Sequence, residues 1–377
     1  MSGLRSLISW TAAALLALLL AGGLASGRGT AWLGGFRGLD RQINQVLLGH
    51  AAVVMAEAPP VRRPAPAVPA VASTGLPPGM VLGYFDDPAD DPQAVSLLQP
   101  YAAVLTGIIP FWYTLQADGT VTGSTDTAVL NYARRRHWYT FALIRNMAGA
   151  AVFTPFLASE GAQNRAIAEM LALVQEYGYS GVNLDFEGIA PADRAAFTAF
   201  VSRLAVVLHA HHKYVTLSVP AETGSDPADA WTGAYDYQAL GQAADLLILM
   251  AYDEHNQNSS AGPIAASTWV REVLSYAISA VPPSKLVLGI PGYGYDWSAG
   301  GNVALSYQQA ETLAEQYHQP TTGGHFTYVA DGQVHTVWFE NRSTLLQKFT
   351  LIEGYELRGM ALWRLGIEDP KIWDFLQ

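Results

Sequence analysis

Between Met80 and Gly366 the sequence alternates short apolar runs with segments of helical periodicity, eight times over. Nothing else in the chain constrains the fold as tightly, because consecutive strand–helix units assemble as a parallel sheet covered by helices. Met80-Val-Leu-Gly-Tyr-Phe-Asp86 is the first predicted strand. The second lies within Val104–Trp112, the third within Thr140–Arg145, the fourth within Gly178–Gly188 and the fifth at Tyr214–Val219. Apolar runs starting at Leu246, Leu286 and Gly359 complete the set. Between them, Ile167, Met170, Leu171 and Val174 fall on one helical face, as do Phe197, Phe200, Val201, Leu204 and Leu208. Asp91 and Pro92 read as a cap and first-turn proline of the first helix. Eight such units predict an α/β chain closed as a TIM (β/α)8 barrel. Gly324–Phe339 alternates around Asp331-Gly332 and reads as a small β-hairpin insertion between strands seven and eight.

The fourth strand carries the chemistry. In Gly178-Tyr-Ser-Gly-Val-Asn-Leu-Asp-Phe-Glu-Gly188 the carboxylates Asp185 and Glu187 are two residues apart. Strand side chains alternate faces, so Asn183, Asp185 and Glu187 form one polar row and Val182, Leu184 and Phe186 an apolar row behind it. Residues i and i+2 lie roughly 7 Å apart, close enough for one carboxylate to change the other's proton affinity. The bland alternative is a strand end emerging into solvent. Gly188 directly after the glutamate places the row at the strand's C-terminal end, where parallel barrels build active sites.

These residues resemble glycoside hydrolase family 18, the chitinase-like barrels, and within it the spore-cortex-lytic and peptidoglycan N-acetylglucosaminidase branch. The family's Asp-x-x-Asp-x-Asp-x-Glu signature matches at Asp185 and Glu187, whereas Ser180 and Asn183 stand at the first two Asp positions. The resemblance implies that Glu187 is the general acid/base and that Asp185 polarises the substrate's acetamido group. Asn183 is then expected to hydrogen-bond Asp185. Leu246-Leu-Ile-Leu-Met-Ala-Tyr-Asp-Glu-His255 resembles the sixth strand, which implies that Tyr252 donates to the acetamido oxygen. Leu286–Trp297 is similar to the seventh strand, and Gly359-Met-Ala-Leu-Trp-Arg-Leu-Gly366 to the eighth, with Trp363 flooring the sugar site. Tyr84, Met250 and Asp253 join Asn183 and Trp363 as substrate-binding positions on the same resemblance. The implied mechanism is substrate-assisted and retaining, with Asp185 raising the pKa of Glu187.

Composition agrees with an enzyme of this size. The chain has 377 residues, half of them hydrophobic, enough for one large core. A net charge of −11 argues against nucleic acid and against an electrostatic grip on anionic lipid or wall polymers. The absence of cysteine excludes disulfides, a thiol nucleophile and thiolate metal ligation. His209, His211 and His212 cluster at a helix end without an acid partner in the sequence and read as surface. Asp86, Asp87, Asp90 and Asp91 read as a solvated loop ahead of a calcium site or groove wall. Gly289–Gly294 lacks the strand, turn and helix order of a dinucleotide site. Neither a metal nor a cofactor is expected.

Arg5 precedes an apolar run from Leu7 to Leu24, so residues 1–27 read as a signal peptide or a membrane anchor. Residues 28–78 include a Pro/Ala-rich tether, and the barrel is expected over 79–377. The protein is therefore expected outside the cytoplasmic membrane, either periplasmic or extracellular, or anchored and facing outward. Its expected partner is a polysaccharide containing N-acetylglucosamine, preferably peptidoglycan, with chitin-like oligomers the second choice. A non-catalytic glycan-binding barrel is the alternative from another class, and an envelope polysaccharide scaffold a third. Glu187 discriminates, since a lectin needs no proton donor there.

Overall fold

The computed structural model describes residues 75–376 apart from 90, 147 and 148. Residues 1–27, expected to be a signal peptide or anchor, most of the expected tether and Asp90 lie outside the described residues. Eight parallel strands form the barrel: Met80–Phe85, Gly107–Pro110, Tyr139–Asn146, Gly181–Asp185, Tyr214–Pro220, Leu246–Met250, Leu286–Pro291 and Gly359–Trp363. Each pairs with its neighbour in chain order, and pairing of the first with the eighth, Met80 opposite Gly359, closes the ring. Closure leaves the barrel strands no free edge, so their ladder groups are paired all round.

Alternation fills the barrel. Met80, Leu82 and Tyr84 of the first strand join Phe141, Leu143, Ile248 and Val287 in one buried cluster. Leu76 belongs to the same cluster, so packing already includes residues ahead of Gly79. The chain passes close to itself where the fourth strand begins. A Cβ on Gly181 would lie 2.0 Å from the Tyr214 carbonyl oxygen, so only glycine fits there.

Both helical faces read from the sequence are present, on helices Glu160–Glu176 and Arg194–Ala210, with all the named apolar residues buried. The first helix starts later than expected, at Ala94. Asp91 instead accepts from the Gln93 amide at 2.7 Å, so Asp91 and Pro92 form the turn that leads in. Among the described residues no helix is long and apolar enough to cross a membrane.

The insertion is larger than a hairpin. The expected pair, His325–Ala330 and Gln333–Phe339, turns at Asp331-Gly332, and both turn residues have positive φ. Tyr293–Ser298 and Gly301–Ser306 extend it into a four-stranded antiparallel sheet, followed through the chain by helix Tyr307–Gln316. The run read as one seventh strand through Trp297 breaks at Gly292, whose amide donates to the Trp363 carbonyl at 2.7 Å. Beyond it the chain belongs to the inserted sheet.

Candidate active site

The C-terminal ends of the barrel strands open into a cleft of about 920 Å³. Tyr84, Asp185, Glu187, Met250, Tyr252, Asp253 and Trp363 all line it. Adjacent strand ends bring together residues as much as 279 positions apart in sequence, from Tyr84 to Trp363. The rings of Tyr84 and Phe111 meet Trp363 edge-on, with centroids 5.2 and 5.5 Å away. Such edge-on contacts help fix the orientation of the indole.

The polar row of the fourth strand is divided by burial. Asn183 and Asp185 are buried, whereas the strand ends at Asp185 and Glu187 stands on the following turn, open to the cleft. Asn183 does not bond Asp185. Register sets Thr216 of the fifth strand opposite Asn183, and the Asn183 Nδ2 donates to Thr216 Oγ1 at 3.0 Å. Its Oδ1 accepts from Ser218 at 3.0 Å, and the Ser218 Oγ lies 2.7 Å from the Tyr84 hydroxyl. The side chain expected beside Asp185 thus ties the fourth strand to the fifth.

Electrostatics couple three carboxyls in the cleft. Burial first, and the Glu187 charge second, push Asp185 up to about 8, while Arg145 and the Ser218 hydroxyl pull the other way. Arg145 is opposite Asp185 in the ladder with the third strand. Glu187 is also raised, by the desolvating cleft walls and then by Asp253. Asp185 and Glu187 each disfavour the other's ionised form, and Asp253 adds a further negative charge that lifts the glutamate. Asp253 is itself raised by desolvation, and the Tyr293 and Tyr295 hydroxyls oppose that shift by donating to Oδ1 at 2.6 and 3.1 Å. Its φ of 61° turns the chain sharply after the sixth strand.

A model of the glycosyl hydrolases family 18 matches residues 82–368. The chain belongs to glycoside hydrolase family 18. It is 31% identical over 310 residues to the cortical fragment-lytic enzyme of Bacillus cereus, covering 77% of this chain and 72% of that protein. The spore cortex-lytic enzyme SleL of Bacillus cereus superposes with a TM-score of 0.73 at 28% identity, over 80% of this chain and 74% of that one. A chitinase from Chromobacterium violaceum gives 0.72 at 32% identity, over 79% and 98% respectively.

Family 18 membership makes the protein a glycoside hydrolase, and its cleft has the parts that hydrolysis needs. Glu187 is a carboxyl with a raised pKa that faces solvent, as a proton donor must be, and a second carboxyl, Asp185, is buried beside it. Several cleft residues escaped the sequence reading. Tyr293 and Tyr295 line the cleft from an aromatic face of the inserted sheet that continues to the buried Trp297, and the spacing of two was the available signal. Trp231, half exposed at the cleft, had no pattern to reveal it. His209 has the acid partner that its helix lacks, Asp245 Oδ2 at 2.8 Å, from the turn before the sixth strand. Among the described residues no three His, Asp or Glu side chains are grouped to hold a metal.

Proposed function

We propose that this family 18 enzyme cleaves β-linked glycans containing N-acetylglucosamine, with peptidoglycan ahead of chitin-like oligomers, by substrate-assisted retaining catalysis. The observation that carries the mechanism is the arrangement of carboxyls in the cleft. Asp185 and Glu187 are neighbours along one chain segment, and the third cleft carboxyl, Asp253, accepts from two tyrosine hydroxyls. A retaining reaction with a protein nucleophile needs a carboxylate across the sugar from the acid. With Asp185 beside the acid, the acetamido oxygen of the substrate is the nucleophile.

In this reading Glu187, kept protonated by the cleft walls and Asp253, gives its proton to the glycosidic oxygen as the acetamido oxygen attacks the anomeric carbon. The C–O bond to the leaving sugar breaks, and a cyclic oxazolinium forms. Asp185 and Tyr252 orient and stabilise it, and Trp363 stacks beneath the ring. The Glu187 carboxylate then takes a proton from water, which attacks the same carbon and restores the acetamide with retained configuration. The substrate preference draws on the cortex-lytic relatives, and an exported location accords with a wall glycan. Glu187→Gln should abolish turnover while glycan binding persists, measured by product analysis on purified peptidoglycan and N-acetylglucosamine oligomers. Activity within tenfold of wild type would refute the acid assignment. Matched substrates carrying glucose, glucosamine or N-acetylglucosamine at the cleavage site should be hydrolysed only in the last case, and comparable cleavage of the glucose substrate would rule out substrate assistance.

A further inference from the structure

The pairing between the third and fourth barrel strands runs from Phe141 opposite Gly181 to Arg145 opposite Asp185, and there it stops. Glu187 is two residues past the end of its ladder. Its backbone is nevertheless held on both polar groups by one side chain. The Glu187 amide donates to Asn146 Oδ1 at 2.8 Å, and the Glu187 carbonyl accepts from Asn146 Nδ2 at 2.8 Å. A primary carboxamide carries one acceptor and a donor in one plane, as a peptide group does. Asn146, the last residue of the third strand, thus supplies with its side chain a rung beyond the last backbone pair among the described residues, Arg145 opposite Asp185.

The residues on either side tighten the hold. The Tyr235 hydroxyl donates to the Phe186 carbonyl at 2.5 Å, and the Phe186 ring is buried with its centroid 4.9 Å from that of Phe153. Gly188 follows at a φ of 63° and approaches Gly149 closely enough that an added Cβ would lie 3.4 Å from the Gly149 Cα. The backbone of Glu187 is fixed while its carboxyl faces the open cleft.

We propose that Asn146 is the positioning residue for the Glu187 carboxyl, acting by extending the strand ladder through its amide. The inference rests on Glu187 being the general acid. No other side chain meets both requirements at this reach. Aspartate offers only acceptors when ionised, and sets an oxygen against the Glu187 carbonyl. Alanine removes both bonds, and glutamine displaces them by one methylene.

The test uses the purified full chain with Asn146→Ala and Asn146→Asp, each checked for folding by thermal denaturation. A misplacement of the reacting group by about 1 Å costs on the order of 100-fold in rate, so kcat should fall by about 10- to 100-fold while KM stays within about threefold. Two further readouts separate positioning from general loosening. The loss should be smaller on a dinitrophenyl glycoside, whose leaving group departs without a proton, than on an N-acetylglucosamine oligomer. In Asn146→Ala the basic limb of kcat/KM should move to lower pH, because a carboxyl released toward water loses part of its upward shift. Wild-type kcat and pH profile in Asn146→Ala, or equal loss on both substrates, would overturn the proposal. If the alanine variant does not fold, the same comparison of leaving groups is made with Asn146→Asp, which keeps the volume and one bond. Activity retained in Glu187→Gln would overturn the acid assignment itself. An inactive Glu187→Gln beside a fully active Asn146→Ala would overturn only the positioning role.

Discussion

Asp253 shows how one side chain can act on another's proton from a different strand. It faces Glu187 from the turn after the sixth strand, and its negative charge disfavours ionisation of the glutamate. Replacing it with asparagine removes that charge, so the Glu187 pKa should fall. The protonated acid is then lost at lower pH, and the basic limb of the kcat/KM profile should move to lower pH. An unchanged limb would mean that Asp253 does not help set the value. The sequence offers Asp253 as a substrate contact but cannot reveal this coupling, since the tyrosines that orient it lie 40 and 42 positions along the chain. Asn183 was misread for a related reason. Its identity is local, but its partners Thr216 and Ser218 depend on the register of the next strand.

At the scale of elements, what was legible is what is buried on both faces. The barrel strands are short apolar runs because one side meets the barrel interior and the other the helices, and such runs stand out without any structure. The inserted sheet is only half buried. Gly301–Ser306 is mostly solvent-facing, and its short Val303-Ala-Leu305 run does not alternate with polar residues, so it gave no strand signal, while Tyr293–Ser298 merged with the apolar run before it. The insertion returns to the barrel through a contact that also lacks a sequence signature. Glu340, just after the last inserted strand, is buried against Lys348 of helix Arg342–Gly354, with Lys348 Nζ 2.9 and 2.8 Å from its two carboxylate oxygens. The Thr344 hydroxyl donates to the same carboxylate at 2.6 Å. Removing one partner leaves a buried charge, so Lys348→Met should destabilise by about 3–5 kcal/mol. Lys348→Met combined with Glu340→Gln should recover much of that loss, and a denaturant-unfolding cycle in which the two effects simply add would show that the pair is not coupled.

At the scale of the molecule, two acids among the described residues ride well above their ordinary range because they are buried, and they set a pH dependence of stability. Asp185 and Glu222 are each pushed up to about 8, chiefly by burial. Glu222 follows the fifth strand, is 4% exposed, and has one carboxylate oxygen without a hydrogen-bond partner among the described residues. Arg194 and a bond from Tyr276 oppose its shift without cancelling it. Between the ordinary carboxylate value near 4 and about 8, the folded state holds a proton on each acid that the unfolded chain has released. More protons bound when folded means stability falls as pH rises. The contribution is complete below about pH 4 and lost as pH climbs to about 8. Glu222 takes no part in the proposed chemistry, so it isolates the effect. Glu222→Gln cannot ionise, and it should gain on wild type as pH rises, by on the order of 1–3 kcal/mol at pH 8 and little at pH 5. Paired thermal or urea unfolding at the two pH values measures the difference of differences, which cancels whatever the amide changes in packing. A gap between variant and wild type that is the same at both pH values would show that Glu222 ionises freely in the folded protein, with water reaching the oxygen that has no partner.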